Sequence, residues 1–321
     1  MYFAKKIKLF FRLLFSCFIG FLKIDFQKNN LLILNYHNFD NSKNINDEMY
    51  VSYKNFEKQI IYFKENNYLT SFNDFFNKKK YKSKKKQILI TIDDADFSIK
   101  KIITIINKHK VSVILFLPFG LLLPQTDINY FRSICLHHYF FINVNKKNKL
   151  KFELFFEKIM KLKINELKKI SKDLSYKNKK KDYIINRKKI SLNYLKKVKN
   201  NKNITLASHS MSHILLSKIP NKWLKWEITT SLKYLKYIKG EKEIFALPYG
   251  NYNSFSNTVV KILTINKIKY IFTTIGKLNN KTNILGRSFL LNSKNEYYLR
   301  GVVYGSMHIF DKILFKIKNY D

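Results

Sequence analysis

Residues 88–96 read ILITIDDAD, a short run of aliphatic and β-branched residues that ends in carboxylates. A compact apolar run of this kind is typical of a buried strand in a parallel sheet. Adjacent side chains of a regular strand point to opposite faces, so Asp93 and Asp94 could share a site only where the strand ends and the chain turns. A small residue such as Ala95 suits that turn. The stretch therefore predicts either a functional cleft or a solvated turn with an aspartate at a helix N-terminus.

Similar apolar runs on both sides of this stretch predict further strands, at residues 31–36, 111–117, 204–207, 244–247 and 270–274. Helical patterns studded with lysine lie between them, at residues 53–66, 97–110 and 222–239. The alternation predicts an α/β domain in which at least six strands form a parallel sheet or barrel. In such a fold the active site lies at the carboxyl ends of the strands.

The alternation stops between about residues 121 and 190. Residues 152–172 predict one or two amphipathic helices, and residues 177–189 are highly charged. We interpret this part as a Lys-rich helical insertion between strands. The chain then consists of an N-terminal segment, residues 1–28, and one large domain, residues 29–321, that carries the insertion.

The N-terminal segment mixes basic residues with aromatic and aliphatic ones. Its charge-free run, residues 13–22, is ten residues long, whereas about 20 are needed to span a bilayer. No A-x-A-like cleavage site follows it. We predict a basic amphipathic helix that lies on an anionic membrane surface. The alternative is a helix that packs on its own domain.

The formal net charge of +39 suggests nucleic acid, anionic lipid or an acidic glycan as a partner. A bias in composition explains it better, because Lys, Asn and Ile are abundant together and lysines occur along the whole chain. No nucleic-acid-binding module accompanies the charge, so we expect no nucleic-acid partner. The two cysteines, Cys17 and Cys135, form no CxxC motif, which gives a thiolate zinc site no support.

Two histidines follow another predicted strand, in the stretch ASHSMSH at residues 207–213. Histidines four apart lie on one face of a helical turn and can hold one metal ion, although the spacing also arises by chance. With Asp94 added to His209 and His213, the set has the three ligands of a hydrolytic zinc site with an open position. Asp93, which cannot easily ligate beside Asp94, is then free to act as a base.

A third motif, FALPYG at residues 245–250, ends a predicted strand in Pro-Tyr-Gly. Such a fixed turn can present a backbone N–H to the cleft as an oxyanion donor. Pro and Gly also punctuate ordinary loops, and the motif alone does not separate the two possibilities.

In this order the three motifs resemble those of the polysaccharide deacetylases, the NodB-homology carbohydrate esterases. The family's Thr-Phe-Asp-Asp-Gly, His-Ser/Thr-x-x-His and Pro-Tyr-Gly motifs correspond to residues 91–95, 209–213 and 248–250. The similarity extends to LNYH at 34–37, FEKQI at 56–60 and WEI at 226–228, and covers roughly residues 31–290 without the insertion. The resemblance implies a deformed (β/α) barrel of about seven parallel strands.

The resemblance also implies the chemistry. Asp94, His209 and His213 would hold a divalent metal ion, with zinc as the expected ion, and Asp93 would be the general base. The backbone N–H of Tyr249 would stabilise the oxyanion. The reaction would remove an acetyl group, expected to be N-linked, from a sugar of a polysaccharide or glycolipid.

The chain departs from the family pattern at several positions. Many members have an arginine two residues before the proline, where this chain has Ala246, and Arg287 resembles an arginine that supports the catalytic aspartate in one sub-branch. The family's late Leu-His, a general acid, has no clear counterpart, and His37 on the first strand is a candidate to line the cleft. Two alternatives follow: a hydrolase of another amide or ester, or a catalytically silent, membrane-associated glycan-binding protein.

Overall fold

The computed structural model describes residues 2–26, 31–40, 49–77, 85–143, 149–178, 187–254, 256–275, 283–310 and 313. These residues form two compact units. Unit 1 lies within Met1–Ile92, Ser98–Ile114 and Thr274–Asp321, and unit 2 lies within Asp93–Phe97 and Leu115–Thr273. Most of the charged stretch at residues 177–189 lies outside the described residues, as does the end of the N-terminal segment at residues 27–28.

The strands are β1 Leu31–Tyr36, β2 Asn38–Phe39, β3 Tyr50–Val51, β4 Gln87–Asp93, β5 Val113–Leu117, β6 Ile204–Ser208, β7 Ile244–Ala246, β8 Tyr270–Thr273, β9 Ile284–Gly286 and β10 Ser288–Phe289. The α-helices are α1 Tyr2–Leu22, α2 Tyr53–Glu65, α3 Ile99–His109, α4 Ile128–Asn143, α5 Lys149–Lys161, α6 Ile164–Lys177, α7 Leu192–Val198, α8 Asn221–Tyr237, α9 Asn257–Ile265 and α10 Glu296–Val303. A π-helical turn, Asn73–Asn77, and 3₁₀ turns at Phe119–Leu122, Leu216–Lys218 and Tyr252–Ser254 complete the described elements.

Eight strands form one sheet in the order β10-β1-β4-β5-β6-β7-β8-β9. The pairs β10–β1, β1–β4, β6–β7 and β7–β8 are parallel, and helices connect most successive strands. The predicted fold class, a deformed (β/α) barrel with a helical insertion, is confirmed, with eight strands where about seven were expected.

All six strands predicted from the sequence are present, with ends that differ by at most two residues. Their side chains are almost entirely buried, which explains why they appear in the sequence as continuous apolar runs. The short strands β9 and β10 were not predicted. They contain three and two residues, too few to show a periodic pattern, and only Arg287 separates them along the chain.

The insertion is part of the core of unit 2. Its helices α4, α5 and α6 pack with α8, and the ring of Phe156 stacks on the indole of Trp223 at a centroid distance of 4.8 Å. Cys135 lies in the same core, where burial raises the pKa of its thiol to about 12.

In unit 1 the N-terminal helix α1 packs tightly on α10. A Cβ atom added to Gly20 would lie 1.8 Å from the carbonyl oxygen of Tyr297, and one added to Gly301 would lie 1.8 Å from that of Ser16. Only glycine therefore allows this close approach of the two backbones. The Ser306 hydroxyl donates to Ser16 Oγ at 2.8 Å and fixes the position of α1 further.

Candidate active site

The two aspartates of the first motif lie where β4 ends and the chain turns. β4 stops at Asp93, and the next two residues have left-handed backbones, with φ of 68° at Asp94 and 46° at Ala95. The N–H of Asp94 donates to the carbonyl oxygen of Phe116 at 3.2 Å, which ties the turn to the end of β5. Both carboxylates are 1% exposed. The predicted turn at the end of this strand is confirmed.

The two histidines lie on a loop after β6, and the predicted helical turn is wrong. Ser210 and His213 have φ of 67° and 51°, which breaks the chain out of a right-handed helix. The imidazole rings still meet, at a centroid distance of 4.9 Å. The N–H of His209 donates to the carbonyl oxygen of Leu117 at 2.9 Å, so this loop is also fixed to the end of β5.

A buried glutamate on α8 holds the histidine loop. Oε2 of Glu227 accepts hydrogen bonds from the backbone N–H groups of Met211 and Ser212, each at 2.9 Å, and the side chain is fully buried. Burial raises the pKa of Glu227, and the bonds from Ser212 and Met211 lower it in part. Because this carboxylate satisfies two buried donors of the loop, the loop geometry depends on α8.

Asp94, His209 and His213 form a cluster that could hold one metal ion. Each offers one ligand atom, and the three atoms lie within 4.8 Å of one another. Nε2 of His213 lies 3.3 Å from Oδ1 of Asp94, and Nε2 of His209 lies 3.8 Å from the same oxygen. Two imidazoles and one carboxylate are the ligand types of three-ligand zinc sites, so the residues present fit a divalent ion.

The protonation of the histidines suits metal binding. Nδ1 of His209 lies 2.8 Å from the carbonyl oxygen of Ala246 and donates to it, so Nε2 of His209 carries the lone pair that faces the aspartates. Burial lowers the pKa of His213 to about 3, although the Asp94 carboxylate raises it. His213 therefore offers a neutral nitrogen near neutral pH, and the hydrogen bond from Nδ1 of His209 leaves Nε2 of that ring on the side of the aspartates.

Asp93 is not one of the three clustered ligands, yet it lies beside them. Its Oδ2 is 3.8 Å from Nε2 of His209. Asp93 and Asp94 are both buried here, and burying carboxylates is costly unless ion pairs, hydrogen bonds or a metal ion compensate. A divalent cation on the cluster would remove most of that cost and leave Asp93 as the second carboxylate beside the ion.

The Pro-Tyr-Gly turn of the third motif lies beside the histidine pair. Tyr249 follows β7 with a φ of 63°, and its ring lies 5.0 Å from that of His213, measured between centroids. Its side chain is 37% exposed. The structure thus brings Asp93, Asp94, the histidine pair and the Pro-Tyr-Gly turn together within unit 2.

Strained backbone concentrates at these motifs. Among the described residues ten non-glycine residues have a positive φ, and five of them are Asp94, Ala95, Ser210, His213 and Tyr249. The other five follow the ends of helices, where a left-handed residue is common: Lys23, Asn67, Lys110, Lys239 and Lys267. Strain that is held by the surrounding structure and collected in one cleft is characteristic of a functional site.

Residues at the C-terminal end of the insertion bind the turn that carries Asp94. Asp96, for which the sequence suggested no role, is 2% exposed and binds Nη1 of Arg187 at 2.7 Å. The backbone bonds from Phe97 N–H to the Lys188 carbonyl at 2.8 Å and from Ile190 N–H to the Ala95 carbonyl at 3.2 Å run alongside this ion pair. Residues 187–190 therefore hold the turn that carries Asp94.

His137, to which the sequence gave no role, lies next to the cluster. It is buried on α4, its ring centroid is 6.0 Å from that of His213, and its Nδ1 lies 2.8 Å from the carbonyl oxygen of Ser212. His137 was missed because it lies 75 residues before the loop carbonyl that it contacts and forms no local motif. Glu227 belongs to the WEI stretch that the resemblance covers, but the sequence gave it no role at the histidine loop.

Two predicted site residues lie in unit 1. Arg287 is fully buried between β9 and β10, and its Nη1 donates to Oδ1 of Asn35 at 3.0 Å and to Oγ1 of Thr91 at 3.2 Å. The ring of His37 stacks on Phe289 at 5.3 Å. Thr91 lies on β4 two residues before Asp93, but the support of Asp93 by Arg287 and the role of His37 in the cleft stay predictions.

Comparison with known proteins identifies the fold. No protein-family model matches the chain, and no curated protein is significantly similar to it in sequence. IcaB from Ammonifex degensii is 16% identical, with a TM-score of 0.57 over 87% of this chain and 98% of that chain. The deacetylase PplD from Streptococcus pyogenes, in complex with acetate, is 16% identical, with a TM-score of 0.57 over 86% and 97%. A polysaccharide deacetylase from Bacillus cereus is 15% identical, with a TM-score of 0.56 over 85% and 68%.

The chain has the fold of the polysaccharide deacetylases. This agrees with the resemblance that the three sequence motifs suggested. Because the identities are low, the likeness establishes the fold, and the residues of the site must carry any argument about chemistry.

Proposed function

We propose that the chain is a metal-dependent deacetylase that removes acetyl groups from a sugar of a polysaccharide or glycolipid. The preferred substrate is an N-acetyl group. The observation that carries the proposal is the cluster of Asp94, His209 and His213 within 4.8 Å, with the second carboxylate of Asp93 beside it. Two buried aspartates beside two buried histidines are more than a single structural ion pair requires. A hydrolytic centre needs both a metal-binding carboxylate and a base.

Asp94, His209 and His213 would hold the ion, and zinc suits a ligand set of two imidazoles and one carboxylate. When bound, a divalent ion supplies Lewis-acid chemistry, because it lowers the pKa of a water molecule and polarises a carbonyl group. The ligand residues contribute by position: His209 is oriented by the Ala246 carbonyl and the His213 loop by Glu227.

Asp93 is assigned the general base. It would take a proton from the attacking water and return it to the leaving amine. The backbone N–H of Tyr249 would donate to the oxyanion that forms as the acetyl carbonyl becomes tetrahedral. Tyr249 lies in the turn after β7, with a left-handed φ of 63°.

The nature of the substrate is supported by the proteins of the same fold. One is described as a polysaccharide deacetylase and another as a deacetylase in complex with acetate, the product that acetyl hydrolysis would release. The preference for an N-linked acetyl group rests on the resemblance of the sequence motifs to the family.

The experiment is a metal analysis joined to an assay of acetate release. We expect the purified full chain to carry close to one equivalent of a divalent metal. It should release acetate from N-acetylglucosamine oligomers, and a chelator should abolish this release until Zn²⁺ is restored. His109→Ala is the matched control, since His109 lies at the end of α3 and contacts Glu57 far from the cluster in sequence.

Full activity of a metal-stripped preparation would contradict the proposal. Hydrolysis of O-acetylated xylan or of N-formyl sugars, without hydrolysis of the N-acetyl oligomers, would change the proposed substrate class. The proposed metal-dependent chemistry would stand. Retention of metal with no turnover on any acylated glycan would favour the silent glycan-binding protein instead.

A further inference from the structure

The N-terminal helix α1 carries an apolar stripe that the described residues leave exposed. Its members are 40–62% exposed and are Ile7, Phe10, Phe11, Leu14, Phe18, Phe21 and Leu22. At about 100° per residue they fall within an arc of roughly 120° on one side of the helix. We call this set the exposed stripe. Among the described residues, eight of the seventeen exposed large apolar or aromatic side chains lie between Ile7 and Ile24.

The opposite side of α1 is fixed to unit 1. The buried positions on that side are Leu9, Arg12, Ser16, Ile19 and Gly20. Ser16 and Gly20 make the close contacts with α10 described above. The Phe15 ring lies 5.8 Å from that of Phe310. The two sequence-based alternatives for the segment are therefore compatible: α1 packs on its own domain with one face and presents another to its surroundings.

Positive charge borders the exposed stripe. On the same helical projection Lys6 and Lys8 fall on either side of it, and Lys23 follows the C-terminal end of the helix. Lys8 and Lys23 are exposed, and α1 contains no acidic residue. Soluble monomeric domains rarely expose a contiguous apolar and aromatic surface. A surface of this kind marks a binding site.

We infer that the exposed stripe of α1 is a docking surface for an anionic lipid membrane, on which the helix lies parallel to the bilayer plane. The phenylalanine and leucine side chains would enter the boundary between headgroups and acyl chains, while the bordering lysines would meet anionic headgroups. No helix among the described residues is long and apolar enough to cross a membrane. An anionic membrane matches this surface in two ways. Its apolar interior suits the exposed stripe, and its negatively charged headgroups suit the lysines on either side of the stripe.

A helix held rigidly on a domain is suited to this task. An isolated peptide must pay the entropy of folding when it binds a surface, whereas α1 is already ordered by its contacts with α10. The inference rests on the surface of unit 1 and does not depend on the proposed catalysis.

The test is co-sedimentation of the full chain with vesicles of phosphatidylcholine containing about one-third phosphatidylglycerol. We expect binding to these vesicles, weaker binding to pure phosphatidylcholine, and a loss of the difference as salt is raised. The combined variant Phe10→Gln, Leu14→Gln and Phe18→Gln removes the centre of the stripe without touching the α10 side. It should bind the anionic vesicles on the order of a hundredfold more weakly.

The matched control removes three equally exposed apolar or aromatic side chains elsewhere: Leu154→Gln, Tyr176→Gln and Ile265→Gln, at residues that are 59%, 85% and 67% exposed. This control should bind as the wild type does. Lys6→Gln with Lys8→Gln should lower binding to anionic vesicles and leave binding to neutral ones. Equal binding of the stripe variant and the control would overturn the inference.

A second copy of the chain is the competing occupant. Light scattering without vesicles decides this point: if the wild type is a dimer, and only the stripe variant is a monomer, the stripe is a contact between copies and the membrane inference fails. Unchanged circular dichroism and thermal midpoint of the variants are required for either conclusion, and glutamine is a good helix former on the solvent side.

Discussion

Asp93 and Asp94 are adjacent in the chain, equally buried, and differently placed. Asp94 contributes an oxygen to the three-residue cluster, and Asp93 approaches it from beside His209. The left-handed backbone at Asp94 and Ala95 makes this possible, because an extended strand would have pointed the two carboxylates apart.

The first prediction separates their roles. Asp94→Asn should lower metal occupancy strongly, because the carboxylate is the only anionic ligand of the cluster. Asp93→Asn should keep the metal and lower kcat by about 10²–10⁴-fold, the usual contribution of a general base. Metal content per chain and kcat for acetate release measure the two effects. A variant Asp93→Asn with wild-type kcat would remove Asp93 from the reaction.

Among individual residues, the sequence predicted the aspartates and histidines of the site but not the residues that hold the histidine loop. Asp93, Asp94, His209 and His213 could be predicted because each pair directly follows an apolar run that had to be a buried strand. Glu227 and His137 reach the site from helices whose sequences look like ordinary amphipathic patterns. Only the three-dimensional packing brings them to the loop.

In the histidine loop, the four-residue spacing of the histidines predicted the wrong local structure, whereas their position after a strand predicted the right place. A spacing of four residues fits a helical turn, yet here the two rings meet through left-handed residues at Ser210 and His213. The loop needs an external anchor for its unpaired N–H groups, and α8 supplies it through Glu227.

The second prediction tests this anchor. Glu227→Ala leaves two buried N–H groups without their acceptor, at about 1–3 kcal/mol each, and should weaken metal binding by about 10–100-fold. Glu227→Gln keeps one oxygen at the same reach and should restore most of the affinity. Metal titration and urea unfolding of both variants provide the measurement. Equal metal affinity in the alanine variant and the wild type would show that the loop does not depend on α8.

Elements of different length were predictable to different degrees. The strands of four or more residues were all found in the sequence, whereas β9 and β10 were too short to give a pattern. Arg287 could be recognised only by its resemblance, and the contacts with Asn35 and Thr91 come from two strands distant in sequence. The insertion was predicted as a helical region, but its place in the core around Phe156 was not.

For the molecule as a whole, the charge of +39 can now be related to surfaces rather than only to composition. Part of it borders the exposed stripe of α1, and part pairs with acidic groups, as Arg187 does with Asp96. The candidate site itself contains two buried aspartates and two buried histidines. Its protonation should therefore be visible in the stability of the whole chain when no metal is bound.

The third prediction concerns the pH dependence of that stability. The folded pKa of His213 is lowered to about 3 from its usual 6.5, so between these values the unfolded chain binds more protons than the folded one. Stability from this group is full above pH 6.5 and is lost as the pH falls towards 3, by up to about 1.4 kcal/mol per pH unit. The raised pKa of Glu227 acts in the opposite direction, because its contribution is lost as the pH rises from its usual value through the raised one.

A comparison of variants isolates the histidine from this opposing glutamate. Urea unfolding of the chelator-treated wild type and of His213→Gln should be measured at pH values from 7.5 to 5. The free-energy difference between them should shrink as the pH falls, since glutamine does not titrate and the Glu227 contribution is common to both. A difference that grows towards low pH would mean that folding favours the charged form of His213, and that the attraction of the Asp94 carboxylate outweighs the effect of burial.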